Sequence, residues 1–363
     1  MLDEVAMAVG LVTIVVTALS LTRFKAWWVR IWDFPRLQIA IFGLAALAAW
    51  VATADWRGNP ELVLTVLLAL AAAYQTGMVW RYTRLAPREV QGSHGADPAR
   101  RLSLVMSNVL QTNRDADRLL HVLREADPDV VLCVETDDWW RERLDALTDT
   151  HPHAVRCALP NTYGMLLYSR LPLEDVRVEF LVQDDIPSMQ ATVRLRSGDG
   201  IWLNCVHPRP PAPGESDESL ERDAELLAVG KRVRGTERPV VVCGDLNDVA
   251  WSRTTRLFQK VSRLLDPRKG RGFYSTFHAR WPGLRWPLDH VFHSDSFRLV
   301  AMRRLPNVGS DHFPVNAVLS YEPQAEAEQE APAADPADMH EAHETVARGH
   351  QVARGDAPAA GHA

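Results

Sequence analysis

The chain has 363 residues, which is more than one average domain, and it carries a formal net charge of −6 at pH 7. We therefore expect two structural units. The acidic balance excludes a protein that coats nucleic acid through general positive charge, although it allows a local basic groove. The four cysteines show no CxxC spacing, so the sequence indicates neither a zinc site nor a disulfide framework.

Three apolar runs occupy the first 85 residues, over residues 4–22, 37–54 and 62–80. Each is close to the roughly 20 residues that cross the hydrocarbon of a bilayer as a helix. A cleaved signal peptide would begin with a basic region and would not be followed by two further apolar runs. We therefore expect three transmembrane helices. Tryptophans near the ends of the runs resemble an aromatic belt; they are Trp27, Trp28, Trp32, Trp56 and Trp80.

The cationic residues predict an orientation for these helices. Arg23, Lys25, Arg30 and Arg36 lie in the first loop, whereas the second loop is short and holds Asp55 and Arg57. Further cations follow the third run; they are Arg81, Arg84 and Arg88. Cationic loops stay on the cytoplasmic side. We expect an integral protein of a bacterial-type inner or plasma membrane, with its amino terminus outside and its large domain in the cytoplasm.

The apolar runs carry no charge at mid-span, which indicates an anchor in the lipid bilayer and not a transport path. The sequence points to no obligate protein partner. Residues 86–100 are rich in glycine, proline and serine and are expected to form a linker. Residues 101–321 have the composition of a globular domain. Residues 322–363 are rich in Ala, Glu, Pro and His and are expected to be disordered.

The globular part alternates short apolar runs with amphipathic stretches. This mixture predicts a layered α/β domain and not a purely parallel sheet. Strands are expected at residues 102–106, 130–134, 164–168, 190–195, 201–206, 239–243, 290–293, 297–303 and 315–319. Helices are expected at residues 115–126, 139–147 and 218–233.

Polar residues follow several of the predicted strands. Gly244-Asp245-Leu246-Asn247-Asp248 follows the run 239–243. A carboxylate and a carboxamide at a strand end suit the holding of a metal ion or a water molecule beside a phosphate, although a capped turn after a core strand is an equal alternative. Similar groups occur elsewhere in the domain: Asn108, Glu135, Leu288-Asp289-His290 and Ser310-Asp311-His312-Phe313-Pro314.

In this order, and with His207, these residues resemble the endonuclease/exonuclease/phosphatase superfamily. That group includes deoxyribonuclease I-like enzymes, abasic-site endonucleases, neutral sphingomyelinases and inositol polyphosphate 5-phosphatases. The resemblance covers residues 101–321. It implies an α/β fold, a four-layer α/β/β/α sandwich of two mixed β-sheets, here preceded by the three transmembrane helices.

Phosphoester hydrolysis needs neutralisation of charge on the phosphate, an in-line oxygen nucleophile and help for the leaving group. A hard divalent cation with oxygen ligands supplies the first. Glu135 and Asp311 are candidate ligands with Asn108 as a neutral neighbour, and this donor set fits Mg²⁺ or Mn²⁺. The resemblance implies that Glu135 is the main metal ligand.

The resemblance also implies roles for the other polar residues. Asp245 would be the base or the water-orienting group, and Asn247 would position phosphate or water. His312 would contact the phosphate, oriented by Asp289. His207 would contact phosphate or assist the leaving group, the alternative being a loop-capping histidine. For Tyr163 a place near the phosphate and a core position are equally plausible, whereas strand alternation makes the neighbouring His290 structural.

A segment that mixes basic and aromatic residues precedes Asp289, and Arg271 within it is a candidate for substrate binding. Such a mixture suits nucleotides, because cations meet phosphates and rings stack on bases. It suits anionic lipid headgroups as well, and a solvated loop is a third reading. The segment holds Arg268, Lys269, Arg271, Phe273, Tyr274, Phe277, Arg280, Trp281, Arg285 and Trp286.

Three functions are consistent with these features. The first is a membrane-tethered phosphoesterase whose substrate is nucleic acid, a phospholipid headgroup or a small phosphate ester. The second is an inactive phosphate-binding module, which is disfavoured because every residue type that the chemistry needs is present. The third is a protein that functions through its helices, which is disfavoured by the apolar character of the spans.

Overall fold

The computed structural model of the chain describes residues 2–54, 58–93 and 97–355. Asp55, Trp56 and Arg57 of the second loop, Gly95 of the linker and residues 356–363 of the tail, for which predictions were made above, lie outside the described residues. Within the described ranges, a unit of helices (residues 2–85, the helical unit) precedes a globular part built on two β-sheets.

The helical unit contains three long apolar helices, as predicted. They are α1 (Leu2–Leu21), α3 (Arg36–Thr53) and α4 (Asn59–Trp80), and a short helix α2 (Trp27–Arg30) lies between the first two. By length and composition each long helix can cross a membrane. Small residues bring the helices together: a Cβ added at Gly43 would lie 2.9 Å from the Thr13 methyl group.

A buried polar cluster joins the three long helices at one end of the unit. The guanidinium of Arg36 donates to Gln75 Oε1 at 3.1 Å and to Ser20 Oγ at 3.4 Å, and it pairs with Asp33. Arg30 also pairs with Asp33, at 3.3 Å. Buried charges are stable only when paired and hydrogen-bonded, so this cluster fixes the end of α1, the start of α3 and the end of α4 relative to one another.

The globular part consists of two mixed β-sheets. Its strands are β1 (Arg101–Asn108), β2 (Val130–Val134), β3 (His153–Cys157), β4 (Met165–Ser169), β5 (Leu173–Glu179), β6 (Ser188–Arg194), β7 (Gly200–Cys205), β8 (Val240–Asp245), β9 (Asp289–His293), β10 (Phe297–Arg304) and β11 (Val315–Tyr321). The first sheet has the order β10-β11-β1-β2-β4-β3 and the second the order β5-β6-β7-β8-β9. The pairs β1–β2 and β7–β8 are parallel, and the others are antiparallel.

The two sheets pack face to face, and helices cover their outer faces. Leu104 and Leu132 of the first sheet share one buried apolar cluster with Leu203 and Val241 of the second. The outer helices are α5 (Ala116–Ala126), α6 (Asp138–Leu144), α7 (Leu220–Arg234) and α8 (Arg253–Ser262). The first two pack on the first sheet and the last two on the second. This is the predicted four-layer α/β/β/α sandwich.

Helix α5 shows why the amphipathic segments fold as predicted. The Asp115 carboxylate accepts a hydrogen bond from the Arg118 N–H at the amino-terminal end, and Leu119 and Leu123 are buried against the sheet. Asp127 ends the helix in the left-handed conformation, with φ of 44°.

The sequence did not predict β3, β5 or α8. β3 and β5 are edge strands, and most side chains of β5 are exposed, so neither strand shows a strong apolar period. In α8, Thr254 and Thr255 favour a helix only weakly. The helix is instead fixed by Ser252, whose Oγ accepts a hydrogen bond from the Thr255 N–H at 2.9 Å.

The prediction that the tail is disordered is wrong for the described part of it. Helix α9 (Pro336–Ala353) begins with a capping box, in which the Asp335 carboxylate accepts from the Asp338 N–H and the Asp338 carboxylate accepts from the Asp335 N–H. The helix packs on α7, where a Cβ added at Gly349 would lie 2.3 Å from Ala224 Cβ. Its buried face consists of small residues (Ala342, Thr345, Gly349), which give no apolar signal in the sequence.

Segment 86–93 of the predicted linker is not solvated along its length. Val90 is fully buried, and its carbonyl accepts a hydrogen bond from Arg271. Further along, the Ser93 N–H donates to the Leu299 carbonyl at 2.9 Å, so this segment extends the edge of the first sheet beside β10. These contacts fix the route of the chain from α4 to β1.

The helical unit contacts the globular part through loops at one edge of the second sheet. The Tyr82 hydroxyl donates to the Ala250 carbonyl at 2.6 Å, and the Trp251 indole N–H donates to the Asp33 carbonyl at 2.7 Å. Both partners in the globular part lie in the loop that follows β8.

Two further loops at the same edge make similar contacts. The Ser219 N–H, beyond β7, donates to the Lys25 carbonyl at 2.8 Å. The Gln38 carboxamide donates to the Gly283 carbonyl at 2.9 Å, in the loop that precedes β9. The helical unit therefore lies beside the edge of the sandwich at which β7 and β8 end and β9 begins.

Candidate active site

The polar residues that follow β1, β2 and β8 meet at this edge. Asn108, the last residue of β1, pairs with Val134, the last residue of the parallel strand β2. In the second sheet Asp245 ends β8 opposite Asp289, the first residue of β9. The Asn108 carboxamide donates to Asp245 Oδ2 at 3.0 Å and so connects the two sheets.

Gly244 sets the close approach of the chain at this point. A Cβ at this residue would lie 1.8 Å from the Val206 carbonyl oxygen, and φ is +156°. Only a glycine in β8 therefore allows this strand to approach the residue that follows β7 so closely. Asp245 follows Gly244, and His207 follows Val206. The close approach of Gly244 and Val206 therefore places Asp245 and His207 at the same edge.

His312 lies between two carboxylates. Its Nδ1 is 2.8 Å from Asp289 Oδ2, and its Nε2 is 3.5 Å from Asp245 Oδ2. All three residues are buried, and their ligand atoms lie within 4.8 Å of one another. Burial acts to lower the pKa of His312, but the charges of Asp289 and Asp245 outweigh it and raise the pKa to about 10. The two carboxylates therefore favour the protonated form of the imidazole.

Glu135 lies beside this group. Its carboxylate accepts hydrogen bonds from the Asn108 carboxamide at 2.6 Å and from the Gln111 N–H at 3.3 Å. Its backbone is left-handed, with φ of 60°, which turns the chain sharply after β2. Burial raises the pKa of Glu135 to about 7. The two hydrogen-bond partners are neutral, so the carboxylate has no bonded cation to compensate for its desolvation.

Asn247 holds the loop after β8 in place. Its N–H donates to Asp245 Oδ1 at 2.9 Å, and its carboxamide donates to the Pro208 carbonyl at 3.0 Å. Arg222 donates to the Asn247 carbonyl at 2.9 Å, and the Asn247 backbone is left-handed, with φ of 49°. Asparagine tolerates this conformation better than most residues.

His207 and Tyr163 form a second group at the edge. Burial lowers the pKa of His207 to about 4, so its imidazole is neutral at neutral pH. Its Nδ1 has no hydrogen-bond partner among the described residues. The Tyr163 ring lies 5.5 Å from the His207 ring, and its hydroxyl donates to Glu215 Oε2 at 2.6 Å.

The structure brings Asp311 to the site but not Arg271. Asp311 is half-buried next to His312, and the Ser310 hydroxyl donates to its carboxylate at 3.3 Å. The Arg271 guanidinium instead donates to the carbonyls of Pro267 and Val90, at 3.2 and 2.6 Å. Arg271 lines a separate cleft between the globular part and α3.

Gln111, Glu215 and Arg222 also take part in this network, although the sequence analysis did not single them out. Gln111 follows Asn108 by three residues in a polar turn, a signal that could have been used. Glu215 lies in the loop before α7, and Arg222 lies in the first turn of that helix. Charged residues at such positions are usually exposed, so their presence gave no sign of a role at the site. No local pattern distinguishes them.

Residues 106–312 match the family model described as the Endonuclease/Exonuclease/phosphatase family, and this stretch is more than half of the chain. The chain belongs to the Endonuclease/Exonuclease/phosphatase family. Members of this family are generally hydrolases that act on phosphoester bonds. No match was found among curated proteins.

Solved structures with the fold of this family resemble the chain at low identity. D. rerio TDP2 complexed with single-strand DNA product has a TM-score of 0.51 at 16% identity, over 61% of this chain and 99% of that chain. An endonuclease/exonuclease/phosphatase from Beutenbergia cavernae DSM 12333 has a TM-score of 0.50 at 20% identity, over 61% of this chain and 72% of that chain. The human Nocturnin catalytic domain with bound sulfate has a TM-score of 0.50 at 15% identity, over 62% and 96%. At these identities the likeness shows the fold alone.

Enzymes of the Endonuclease/Exonuclease/phosphatase family typically use divalent metal ions, and Glu135 offers a chemically suitable position for one. It is a buried carboxylate whose hydrogen-bond partners, Asn108 and Gln111, are neutral, and a cation would compensate for its desolvation. Oxygen donors favour hard ions such as Mg²⁺ and Mn²⁺. The group of Asp245, Asp289 and His312 also brings three ligand atoms within 4.8 Å of one another, but both ring nitrogens of its histidine already face a carboxylate.

Proposed function

We propose that the chain is a membrane-anchored, divalent-metal-dependent phosphoesterase. It hydrolyses a phosphodiester or a phosphomonoester by in-line attack of an activated water molecule. The observation that carries this proposal is the position of His312 between Asp289 and Asp245, beside the buried carboxylate of Glu135, whose hydrogen-bond partners are neutral. This edge thus combines a fixed positive charge with a place for a metal ion, which is what a phosphate undergoing attack requires.

Glu135 would hold the metal ion, with Asp311 and Asn108 as neighbouring ligands. When bound, Mg²⁺ or Mn²⁺ would neutralise charge on the phosphate oxygens. Asn108 also donates to both Glu135 and Asp245, so it would keep the metal-binding carboxylate and the catalytic carboxylate at a fixed separation.

Asp245 would orient the attacking water molecule and accept its proton. Its buried carboxylate already receives hydrogen bonds from Asn108 and from the Asn247 N–H, which fix its orientation. Proton transfer to a positioned carboxylate is efficient only when the geometry is fixed in this way. Asn247 would position the phosphate or the water from the same loop.

His312 would donate a hydrogen bond to the phosphate as charge develops in the transition state, and Asp289 would keep its ring oriented. His207 is neutral and lacks a partner at Nδ1. It would contact the phosphate or assist the leaving group, with Tyr163 beside it.

We further propose that α1, α3 and α4 cross a bacterial-type inner or plasma membrane and that the globular part is cytoplasmic. The cations of the first loop and of the segment after α4 support this orientation. At the other end of the helices, the sequence carries Asp3, Glu4, Asp55 and Glu61 against one arginine, Arg57.

Two substrate classes are favoured by different observations. Nucleic acid is one candidate by analogy, since D. rerio TDP2, which shares the fold, is complexed with single-strand DNA product. The position of the helical unit beside the active edge favours a phospholipid headgroup, as in sphingomyelinase-type phosphodiesterases. An inactive phosphate-binding module is the weakest alternative, since all the groups named above meet at one edge.

The test is hydrolysis by the full-length chain in a neutral detergent. We expect magnesium-dependent release of nitrophenol from bis(p-nitrophenyl) phosphate, with Asp245→Asn as the inactive control. A parallel panel of single-stranded DNA, duplex DNA, RNA, sphingomyelin and phosphoinositides identifies the substrate class. Wild-type turnover equal to that of Asp245→Asn on every substrate would refute the proposal.

A further inference from the structure

A cleft of about 630 Å³ lies between the helical unit and the globular part. One wall is the outer face of the first turns of α3, with Leu37, Gln38 and Ile41. The other wall belongs to the segments around β10 and the loop before β9. It presents the guanidinium groups of Arg271, Arg285 and Arg304, and Arg84, in the segment after α4, adds a fourth from the helical unit. We refer to this space as the cationic cleft.

None of the four arginines forms an ion pair with a carboxylate of the described residues. Arg285 donates to the Ala279 carbonyl and Arg304 to the Ser275 carbonyl, both at 2.8 Å, and Arg271 donates to two other carbonyls. Partial desolvation, followed by the charge of Arg285, lowers the pKa of Arg304. Burial, followed by the charge of Arg88, lowers the pKa of Arg271. The cleft therefore concentrates positive charge that an anionic ligand would compensate.

The wall formed by α3 carries two apolar side chains, the half-buried Leu37 and the exposed Ile41. Ile41 is 55% exposed, and it lies five residues beyond Arg36, where α3 begins. At about 1.5 Å per residue, Ile41 is only about 7–8 Å along the helix axis from that end. If α3 crosses a bilayer, as proposed above, the cleft is at the depth of the lipid headgroups and opens sideways to them.

We propose that the cationic cleft binds the headgroup of an anionic phospholipid. The arginines would contact the phosphate, and the acyl chains would lie along the face of α3 that carries Leu37 and Ile41. Charge complementarity and continuity with a membrane-spanning helix select this ligand over a soluble anion, which would leave the apolar wall uncovered.

This lipid site is separate from the proposed active site but lies next to it in the chain. The guanidinium groups of Arg304 and Arg285 lie 4.3 and 5.0 Å from the ring of Phe313. The preceding residue, His312, instead contacts Asp289 and Asp245. A bound lipid would therefore hold the segment that carries His312 without occupying the position of the substrate.

The test uses the full-length chain in a neutral detergent and measures its thermal unfolding midpoint. The probes are dihexanoyl phosphatidylglycerol, dihexanoyl phosphatidylcholine, glycerol 1-phosphate and a short single-stranded oligonucleotide. The cleft variant is Arg84→Gln/Arg304→Gln, since both side chains are exposed. The matched control is Arg81→Gln/Arg303→Gln, which removes two exposed charges from neighbouring positions outside the cleft lining.

We expect phosphatidylglycerol to raise the unfolding midpoint of the wild type and of the control. Its apparent Kd for these two proteins should be at least about tenfold lower than its apparent Kd for the cleft variant. Phosphatidylcholine should have little effect. If phosphatidylglycerol stabilises all three proteins alike, or acts no better than phosphatidylcholine, the proposal is wrong. Equal stabilisation by glycerol 1-phosphate would show a soluble-anion site, and stabilisation by the oligonucleotide alone would show a nucleic-acid site. If the cleft variant does not fold, Arg84→Gln alone replaces it, against Arg81→Gln.

Discussion

Asp289 contacts His312 at Nδ1, with Oδ2 at 2.8 Å, and so fixes the plane of the imidazole ring. The opposite nitrogen of the ring is left facing Asp245 at the edge of the sandwich. The second oxygen of Asp289 has no hydrogen-bond partner among the described residues. Since the carboxylate is buried, its negative charge acts mainly on His312. The proposed mechanism depends on this pair, because it keeps a positive charge where the phosphate would lie.

Asp245→Asn and His312→Ala test the proposed chemistry directly. Loss of the base should lower turnover by about 10²–10⁴-fold, and loss of the charged hydrogen-bond donor by about 10²–10³-fold. Because both residues would act on one transition state, the double variant should lose less than the product of the two single losses. Steady-state kinetics on a soluble phosphodiester measure all three effects.

Either variant that keeps near-normal turnover at full metal occupancy would show that its residue has no catalytic role. A thermal melt must accompany the kinetics. Removal of His312 leaves the buried carboxylates of Asp245 and Asp289 without their shared cation, so His312→Ala should melt below the wild type, whereas Asp245→Asn preserves the shape of the site.

Glu135→Gln should weaken metal binding and hydrolysis together. The substitution keeps the size of the side chain but removes the negative charge that would attract the cation. We expect the Kd for Mn²⁺, measured by calorimetry on the full-length chain, to rise by at least about tenfold. Glu142→Gln, which changes an exposed glutamate of α6, is the matched control. Full activity of the wild type after exhaustive chelation would contradict the metal requirement.

Gly244→Ala should destabilise the globular part. The added methyl group would lie 1.8 Å from the Val206 carbonyl oxygen, so the backbones of β8 and of the segment after β7 would have to separate. We expect a loss of more than about 2 kcal/mol in the free energy of unfolding. Gly235→Ala has its nearest neighbour at 3.9 Å and should change stability little. Equal unfolding midpoints for the two variants would refute this reading of Gly244.

The buried carboxyl group of Glu225 should make the stability of the fold depend on pH. Burial raises its pKa to about 8, against the hydrogen bond from Ser188 and with the charge of Asp185 adding to the increase. The folded-state pKa exceeds the unfolded value of 4.5, so folding favours the neutral carboxyl group. The contribution of Glu225 to the stability of the fold is therefore complete below pH 4.5 and is lost as the pH rises through about 8. The total change is on the order of a few kcal/mol.

Denaturant unfolding of the wild type and of Glu225→Gln between pH 5 and 9 measures this effect. The glutamine remains neutral, so the variant should lose this part of the pH dependence. Glu237→Gln, at an exposed loop position, should keep it. If the wild type and Glu225→Gln have parallel profiles, Glu225 is not the group that titrates.

A pair of fusions at the carboxyl terminus tests the orientation proposed for α1, α3 and α4 in the membrane. A green fluorescent protein fusion should fluoresce, because its fluorophore matures in the cytoplasm, and an alkaline phosphatase fusion should be inactive there. The opposite pair of results would place the globular part outside the inner membrane. The catalytic predictions would stand unchanged in that case.

The apolar runs were sufficient to predict a layered α/β domain, because the central strands are nearly continuous apolar runs, each closed by a polar residue. Asn108, Asp245 and Glu135 were found as candidates for that reason. The four-layer sandwich itself was implied by the resemblance to the family. The α9 helix could not be found in this way, since its buried face carries small residues and its stability comes from Asp335, Asp338 and contact with α7.

The sequence also could not predict which basic residues around Arg271 are buried and which line a cleft. Arg268 lies fully buried in an ion pair with Asp266, whereas Arg271 lines the cationic cleft. The two are three positions apart in the chain, yet their surroundings are set by segments distant in sequence, such as β9 for Arg268 and Val90 for Arg271. A local pattern of charge and aromatic residues carries no information about such partners.

The loops after β7 and β8 and before β9 all contact the helical unit, and the same loops flank Asp245, His207 and Asp289. If α1, α3 and α4 cross a bilayer as proposed, this arrangement turns the proposed active site toward the lipid surface and the opposite end of the sandwich toward bulk water. A soluble polymer would have to enter the gap between protein and membrane from the side. A molecule that already resides in the lipid leaflet would reach the same gap by lateral diffusion, a search in two dimensions.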